Sequence, residues 1–146
     1  MNNVNLDKYY KVGFISNKIA AIADFKFHGN VYAAPGVVKH IMKRHSSGRN
    51  HLNTNTINNI IETVSEILLT PDFVGKHPDK IGTSIEFVKK LDDNLLLALE
   101  VDLDNKYIYV ASLYPISQGK INNRLNSGRL ISLNNSNIDY VAATKP

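Results

Sequence analysis

Ser84-Ile85-Glu86-Phe87-Val88-Lys89-Lys90-Leu91-Asp92-Asp93-Asn94-Leu95-Leu96-Leu97-Ala98-Leu99-Glu100-Val101 is the stretch on which the fold turns. From Thr83 the residues alternate at a period of two, Ile85, Phe87 and Leu91 against Ser84, Glu86 and Lys90, which is the pattern of a half-buried strand. A second strand follows at once. With Asp92-Asp93-Asn94 as a three-residue hairpin loop and Asn94 left-handed, Leu91 faces Leu95, Phe87 faces Leu99 and Ile85 faces Val101. One face of the hairpin is then apolar apart from Lys89, and Glu86 lies beside Glu100 on the other. A two-residue loop would mix the faces, so the hydrophobic pattern selects the longer one.

Downstream, Asp104-Asn105-Lys106 makes a turn and Tyr107 to Tyr114 forms the third strand of a meander. Its inward face stays open, because Tyr107/Tyr109/Ala111/Leu113 and Ile108/Val110/Ser112/Tyr114 both alternate acceptably. Pro115 ends that strand, Ser117 caps a short helix through Leu125, and Ser127-Gly128 closes it, leaving Arg129 just beyond. Upstream, Ile57, Ile60, Ile61, Val64, Ile67 and Leu68 share one helical face between Thr56 and Leu69. Pro71 stops this helix, and Pro71-Asp72 through Gly75 reads as a turn. Before it, Pro35-Gly36 introduces an amphipathic helix from Val37 to His45, held by Val37, Val38, Ile41 and Met42. At about 100° per residue His45 falls in the middle of that apolar arc, while His40 lies at its edge beside Arg44.

Residues 1–8 are polar. Between Tyr9 and Phe27 the apolar bursts Val12-Gly13-Phe14-Ile15 and Ile19-Ala20-Ala21-Ile22-Ala23 read as hairpin strands, with a helix at the alanines as the other option. The plan is therefore an N-terminal extension over 1–30, a domain over 31–133 and a flexible tail over 134–146. Its fold class is α+β: two N-terminal helices packed on an antiparallel β-meander, with a short C-terminal helix.

The 146 residues contain no cysteine, which excludes disulfides and thiolate metal sites. The most apolar run, Leu95 to Leu99, is far too short for a bilayer, so a cytoplasmic location without membrane attachment is the expectation. Charge is distributed unevenly around a net +4. Residues 1–50 hold eight Lys/Arg against two Asp, residues 51–104 four against ten acidic residues, and residues 105–146 five against one. Basic segments flanking an acidic middle suit a polyanion touched by both ends of the chain, and suit equally well ordinary solvated faces.

Five histidines and thirteen carboxylates raise the question of a metal. His40 and His45 are about 140° apart around a helix, whereas helical ligand pairs want a spacing of four, and no H-E-x-x-H or EF-hand pattern occurs. Phosphate-binding glycine loops and G-x-S-x-G elbows are also missing. No cofactor or metal is expected. What remains is acid/base chemistry with cationic assistance, which is all that internal RNA cleavage requires. Histidine suits proton transfer near neutrality, and His40 is equally well a surface residue of its helix. Glu86 beside Glu100 is either a source of a general base or an exposed sheet face. Arg124, Arg129 and Lys120 suit a phosphate clamp, and Tyr107, Tyr109 and Tyr114 suit stacking on a splayed base.

The ordered blocks Val31-Tyr32, Pro35-Gly36-Val37-Val38-Lys39-His40, His45, Pro71 to Gly75, Ser84 to Lys89, Tyr109 to Tyr114 and Ser127 to Leu130 resemble the phage-associated nuclease families of the BECR fold. That superfamily joins barnase, EndoU, colicin-type RNase and RelE-like domains. The resemblance covers residues 31–133 and implies a metal-independent endoribonuclease, a toxin of a phage or other mobile element, cutting RNA by transphosphorylation at the 2′-hydroxyl. It implies His40, Ser112 and Arg129 as leading catalytic residues, with His45, Lys89 and Tyr114 behind them. Lys39, Lys43, Arg44, Lys120 and Arg124 would bind substrate. RNA is the implied partner, together with a cognate inhibitor protein. The alternative is a non-catalytic RNA-binding or regulatory domain with a nuclease-like fold.

Overall fold

The computed structural model describes residues 4–45 and 52–133. The expected hairpin forms from β4 (Ser84–Lys90) and β5 (Asn94–Asp102), with Ile85, Phe87, Leu95, Leu97 and Leu99 all buried on one face. Its register differs by two residues from the sequence expectation. Phe87 pairs with Leu97 and Ile85 with Leu99, and Lys90 pairs with Asn94, so the loop is Leu91-Asp92-Asp93. A slip of two leaves every side chain on its expected face. It changes the neighbours, however: Glu86 lies opposite Ala98 rather than beside Glu100, and Glu100 lies opposite Ser84.

The third strand, β6 (Tyr107–Pro115), pairs antiparallel with β5 and contains a bulge at Ala111, since Ala98 pairs with Ser112 and Leu99 with Val110. The extra residue resets the alternation. Ile108 and Val110 point into the core before it and Leu113 after it, and this is why neither alternating set was selectable from sequence. Ser112 takes the face of Ala98 and Glu86, away from that core.

The first 30 residues do not form a hairpin over the alanines. After a 3-10 turn at Leu6–Lys8, β1 (Tyr10–Ile15) leads into a helix, α1 (Asn17–Ile22), whose first turn is capped by the Ser16 hydroxyl accepting from Ile19 N at 3.1 Å. The antiparallel partner of β1 is β2 (Gly29–Ala33), which in turn runs parallel to β6. Next comes α2 (Pro35–His45), starting on a proline whose missing N–H is an orphan at that position anyway. Ile41 is buried, Val37 and Val38 pack partly, and Met42, expected on the packed arc, is 40% exposed. The expected helix over 56–69 is broken at Asn59 (φ −137°, ψ 46°) into α3 (Thr54–Asn58) and α4 (Ile60–Leu69). Helix α4 packs on β1 because Gly13 has no side chain; a Cβ there would stand 2.7 Å from Leu68 Cδ1.

Phe73–Gly75, expected as a turn, is a short strand, β3, lying between β4 and β7 (Leu130–Ser132). The helix before β7, α5 (Gln118–Ser127), is bounded as its sequence predicts. Ser117 Oγ accepts from Lys120 N at 3.2 Å, and Gly128 closes the helix in the left-handed region at φ 83°. Among the described residues the fold is thus α+β with a seven-stranded sheet, ordered β1-β2-β6-β5-β4-β3-β7, larger than the expected meander. Helices do not lead the chain, because β1, α1 and β2 precede α2.

Side chains of α1, α2 and α4 share one large core with the inner face of the sheet. On the outer face, Phe73, Val88, Leu96, Ile116, Ile121 and Leu130 form a second, smaller cluster that includes the side chains of α5. Ile121 is fully buried there, which is worth about 1.5–3 kcal/mol for one side chain of its size. The polar residues of the outer face continue from the edge of this cluster.

Candidate active site

One row across the outer face reads Gly75, Glu86, Ala98, Ser112, each residue paired with the next through β3, β4, β5 and β6. Glu86 is the exceptional member, since it sits in the middle of a central strand at 2% exposure. A buried carboxylate is tolerated only when it is paired and hydrogen-bonded. Arg129 supplies both: its Nε donates to Glu86 Oε1 at 3.0 Å and its Nη2 to Oε2 at 2.8 Å. This fork-to-fork geometry is the strong form of an arginine–carboxylate contact.

Local structure explains why Arg129 is there. Gly128 reverses the chain after α5, and the Arg129 carbonyl then accepts from Lys76 N at 3.2 Å. Gly75 permits that approach, because a Cβ on it would lie 1.9 Å from the Arg129 carbonyl oxygen. Ser127 joins the two arginine segments, its hydroxyl donating to Arg124 O at 3.1 Å and accepting from Arg129 N at 3.4 Å.

Arg124, in the last turn of α5, brings a second guanidinium to the same carboxylate. Its Nη1 stands 3.8 Å from Glu86 Oε1, outside hydrogen-bond range, and is buried with no hydrogen-bond partner among the described residues. The cluster therefore holds two cations around one carboxylate. Ser112 lies two strands from Glu86 on the same face, with Ala98 of β5 between them; it is half-buried, and its hydroxyl makes no hydrogen bond to a described residue.

The next row carries Ser84, Glu100, Tyr109 and Tyr32. Lys80 Nζ donates to Glu100 Oε2 at 2.9 Å and Tyr109 Oη to Oε1 at 3.4 Å. The Tyr109 phenol is raised above its usual range, mainly by burial and then by the Glu100 charge. Burial, followed by a hydrogen bond with Tyr9, pushes Tyr107 up to about 12.

Of the sequence-derived candidates, Arg129 and Arg124 meet at Glu86, and Ser112 shares their face of the sheet. Tyr114 shares it but packs with Leu96 in the cluster under α5, and Lys120 is exposed on α5 itself. His40 does not join them. It is exposed on α2, whose buried Ile41 belongs to the inner core, as do the inward residues Leu97 and Val110, so the sheet separates it from Arg129. Lys39, Lys43 and Arg44 share that exposed helix. The His45 side chain lies outside the described residues. Lys89 points to the helix side, where its Nζ donates to Thr70 O at 2.7 Å and to Thr70 Oγ1 at 3.1 Å and so caps the end of α4. Glu86 was visible in the sequence as one of two strand carboxylates. Its true partner lies 43 residues away, and no local pattern reports that distance.

Residues 10–123 match the model of a family described as phage-Barnase-EndoU-ColicinE5/D-RelE like nuclease 3. The chain belongs to this nuclease family. The match begins at β1, so it takes in the β1-α1-β2 unit as well as Glu86 and Ser112, and it ends one residue before Arg124. Neither the curated proteins nor the solved structures searched gave a match. Among the described residues, no three His, Asp or Glu side chains are grouped as metal ligands, and no helix is long and apolar enough to cross a membrane.

Proposed function

We propose that the protein is a metal-independent endoribonuclease whose reaction centre is the Glu86–Arg129–Arg124 cluster with Ser112. The observation that carries this reading is the buried, unpartnered Nη1 of Arg124 beside a carboxylate already satisfied by Arg129. An orphaned buried donor costs about 1–3 kcal/mol, which an incoming phosphate oxygen would recover. Glu86 takes the proton of the ribose 2′-hydroxyl. The 2′-oxygen forms a bond to phosphorus, the bond to the 5′-oxygen breaks, and that oxygen leaves as a hydroxyl with a proton drawn from water, giving a 2′,3′-cyclic phosphate. Arg129 and Arg124 neutralise the charge that develops on the phosphorane, and Ser112 donates to a phosphate oxygen.

In this reading the base is Glu86 in place of His40, because His40 lies across the sheet. RNA is the substrate, the setting is the cytoplasm of a cell hosting a phage or other mobile element, and the protein acts as a toxin countered by a cognate inhibitor protein. The test is incubation of total RNA with purified protein in EDTA, for wild type and Glu86→Gln. Cleavage that falls roughly 10²-fold or more in the variant supports the reading. Equal cleavage by both removes Glu86 from the chemistry.

One observation favours the alternative of a non-catalytic RNA-binding or regulatory domain: both Glu86 oxygens are engaged by Arg129, as in a structural ion pair. Recovery of intact RNA from a tight, salt-dependent complex would select it.

A further inference from the structure

Beyond the arginine cluster, the outer face carries tyrosines in contact with one another. Tyr107 is at their centre: its ring lies 6.0 Å from that of Tyr9 at 73°, 6.3 Å from Tyr32 at 72°, and 5.8 Å from Tyr109 at 47°. Edge-to-face contacts of this kind fix ring orientation. All four are half-buried, which is less than strand aromatics in a closed core show. Tyr32 and Tyr107 also form the wall of a cleft of about 490 Å³, which is lined in addition by Phe27, His28, Asn30 and Lys106. The volume falls within the range of small-ligand sites, and an apolar lining with a few polar groups is their usual composition. The exposed groups His28, Asn30 and Lys106 offer two nitrogen bases or cations and one amide. Lys11 lies directly opposite Tyr32 on the neighbouring strand.

We propose that this cleft is a nucleobase subsite, which takes an unpaired base of the RNA strand flanking the cut phosphate and stacks it on Tyr32 and Tyr107. This rests on the RNA reading given above. Asn30 faces the edge of the base, and Lys106 and Lys11 accompany its phosphates. Stacking of bases on aromatic side chains beside a basic track is the general means by which proteins hold single strands. A tyrosine phenol is neutral at physiological pH, so the platform adds no negative charge against the strand. Along β6, Tyr107 is five residues from Ser112, roughly 15 Å at the rise of a strand. At about 3.4 Å per stacked nucleotide that is several steps, and fewer for an extended strand. A dinucleotide at the arginine cluster therefore does not reach the cleft, whereas an octamer does.

The experiment measures the affinity of the whole protein for two 2′-O-methyl RNA octamers, which lack the nucleophilic hydroxyl. One carries all its bases and the other is abasic outside a central dinucleotide. Wild type is expected to bind the complete octamer roughly 5- to 150-fold more tightly, the span of one stacked base. Tyr32→Leu is expected to bring the two affinities to within about threefold. Where that variant does not fold, Asn30→Ala, at an exposed position, reads the same ratio and is expected to reduce it. A wild-type ratio near one, or a ratio unchanged in the folded variants, overturns the subsite while cleavage persists. Absence of both cleavage and binding overturns the RNA reading itself, and the subsite with it.

Discussion

Arg129→Ala tests the reaction centre through stability as well as through activity. The substitution removes two charge-assisted hydrogen bonds, at 3.0 and 2.8 Å, from a carboxylate whose side chain is 3% exposed. Such bonds contribute about 1.5–3 kcal/mol each, and breaking a buried pair by deleting one partner costs about 3–5 kcal/mol. Two features reduce the loss. Arg129 is itself 20% exposed, so water enters the vacated space, and Arg124 Nη1 needs to move by less than an ångström from 3.8 Å to form a hydrogen bond. The expected loss is therefore about 3 kcal/mol, the lower end of the range. With a urea m-value of about 2 kcal/mol/M, the midpoint falls by about 1.5 M at unchanged m. Urea titration of the double variant Arg129→Met with Glu86→Leu supplies the control. Apolar replacement of both partners leaves no buried carboxylate but takes the counter-charge from Arg124, so part of the loss should return. A fall of less than about 0.3 M in the single variant would refute the assignment, as would a double variant no more stable than the single one.

Gly75→Ala drives a methyl group into the Arg129 carbonyl, which would be 1.9 Å away, so β3 and β7 must separate. The expected outcome is a loss of about 1–3 kcal/mol by urea titration together with reduced RNA cleavage. Lys89→Ala removes the cap on α4 and should cost about 0.5–1.5 kcal/mol while cleavage stays near wild type; a collapse of the rate would return Lys89 to the site. His40→Ala should likewise cleave RNA at near the wild-type rate, and a roughly 10²-fold fall would place that exposed histidine in the chemistry after all. For Tyr107 the folded pKa of about 12 exceeds the ordinary value of 10.0. Between those values the folded state binds the proton more tightly, so the contribution is complete below pH 10 and declines as pH rises towards 12. After solvent screening the contribution is about 1–2 kcal/mol, and Tyr107→Phe should flatten the alkaline limb of a Tm-against-pH curve.

Legibility in the sequence followed the length and regularity of each element. The period of two in β4 and β5, the cap at Ser117 and the left-handed Gly128 all report local physics, and all three were readable. Three-residue strands are too short to show a period, which is why Phe73–Gly75 reads as part of a turn in the sequence. The pairing of β2 with β6 is parallel and joins Val31 to Ile108, a separation that no local pattern encodes. The bulge at Ala111 erased the phase of β6, and with it the face of Ser112.

The candidate site was half legible for the same reason. Ser112, Arg124 and Arg129 stand out in the sequence, whereas Glu86 reads there as a neighbour of Glu100, a consequence of the two-residue difference in register. Apolar patterning fixes which face a residue takes, but only the loop and the partner strands fix what it touches. Once Glu86 is placed opposite Ala98, the charges fail to balance: a structural pair needs one guanidinium, and two are present. The position of Arg124 at the end of α5 earns about 0.3–1 kcal/mol from the helix dipole, less than the desolvation of an unpartnered donor takes away. A phosphate oxygen bound at Arg124, as proposed, would remove that deficit. The imbalance is therefore a stronger pointer to phosphate than the basic helix α2, whose Lys39, Lys43 and Arg44 are all exposed.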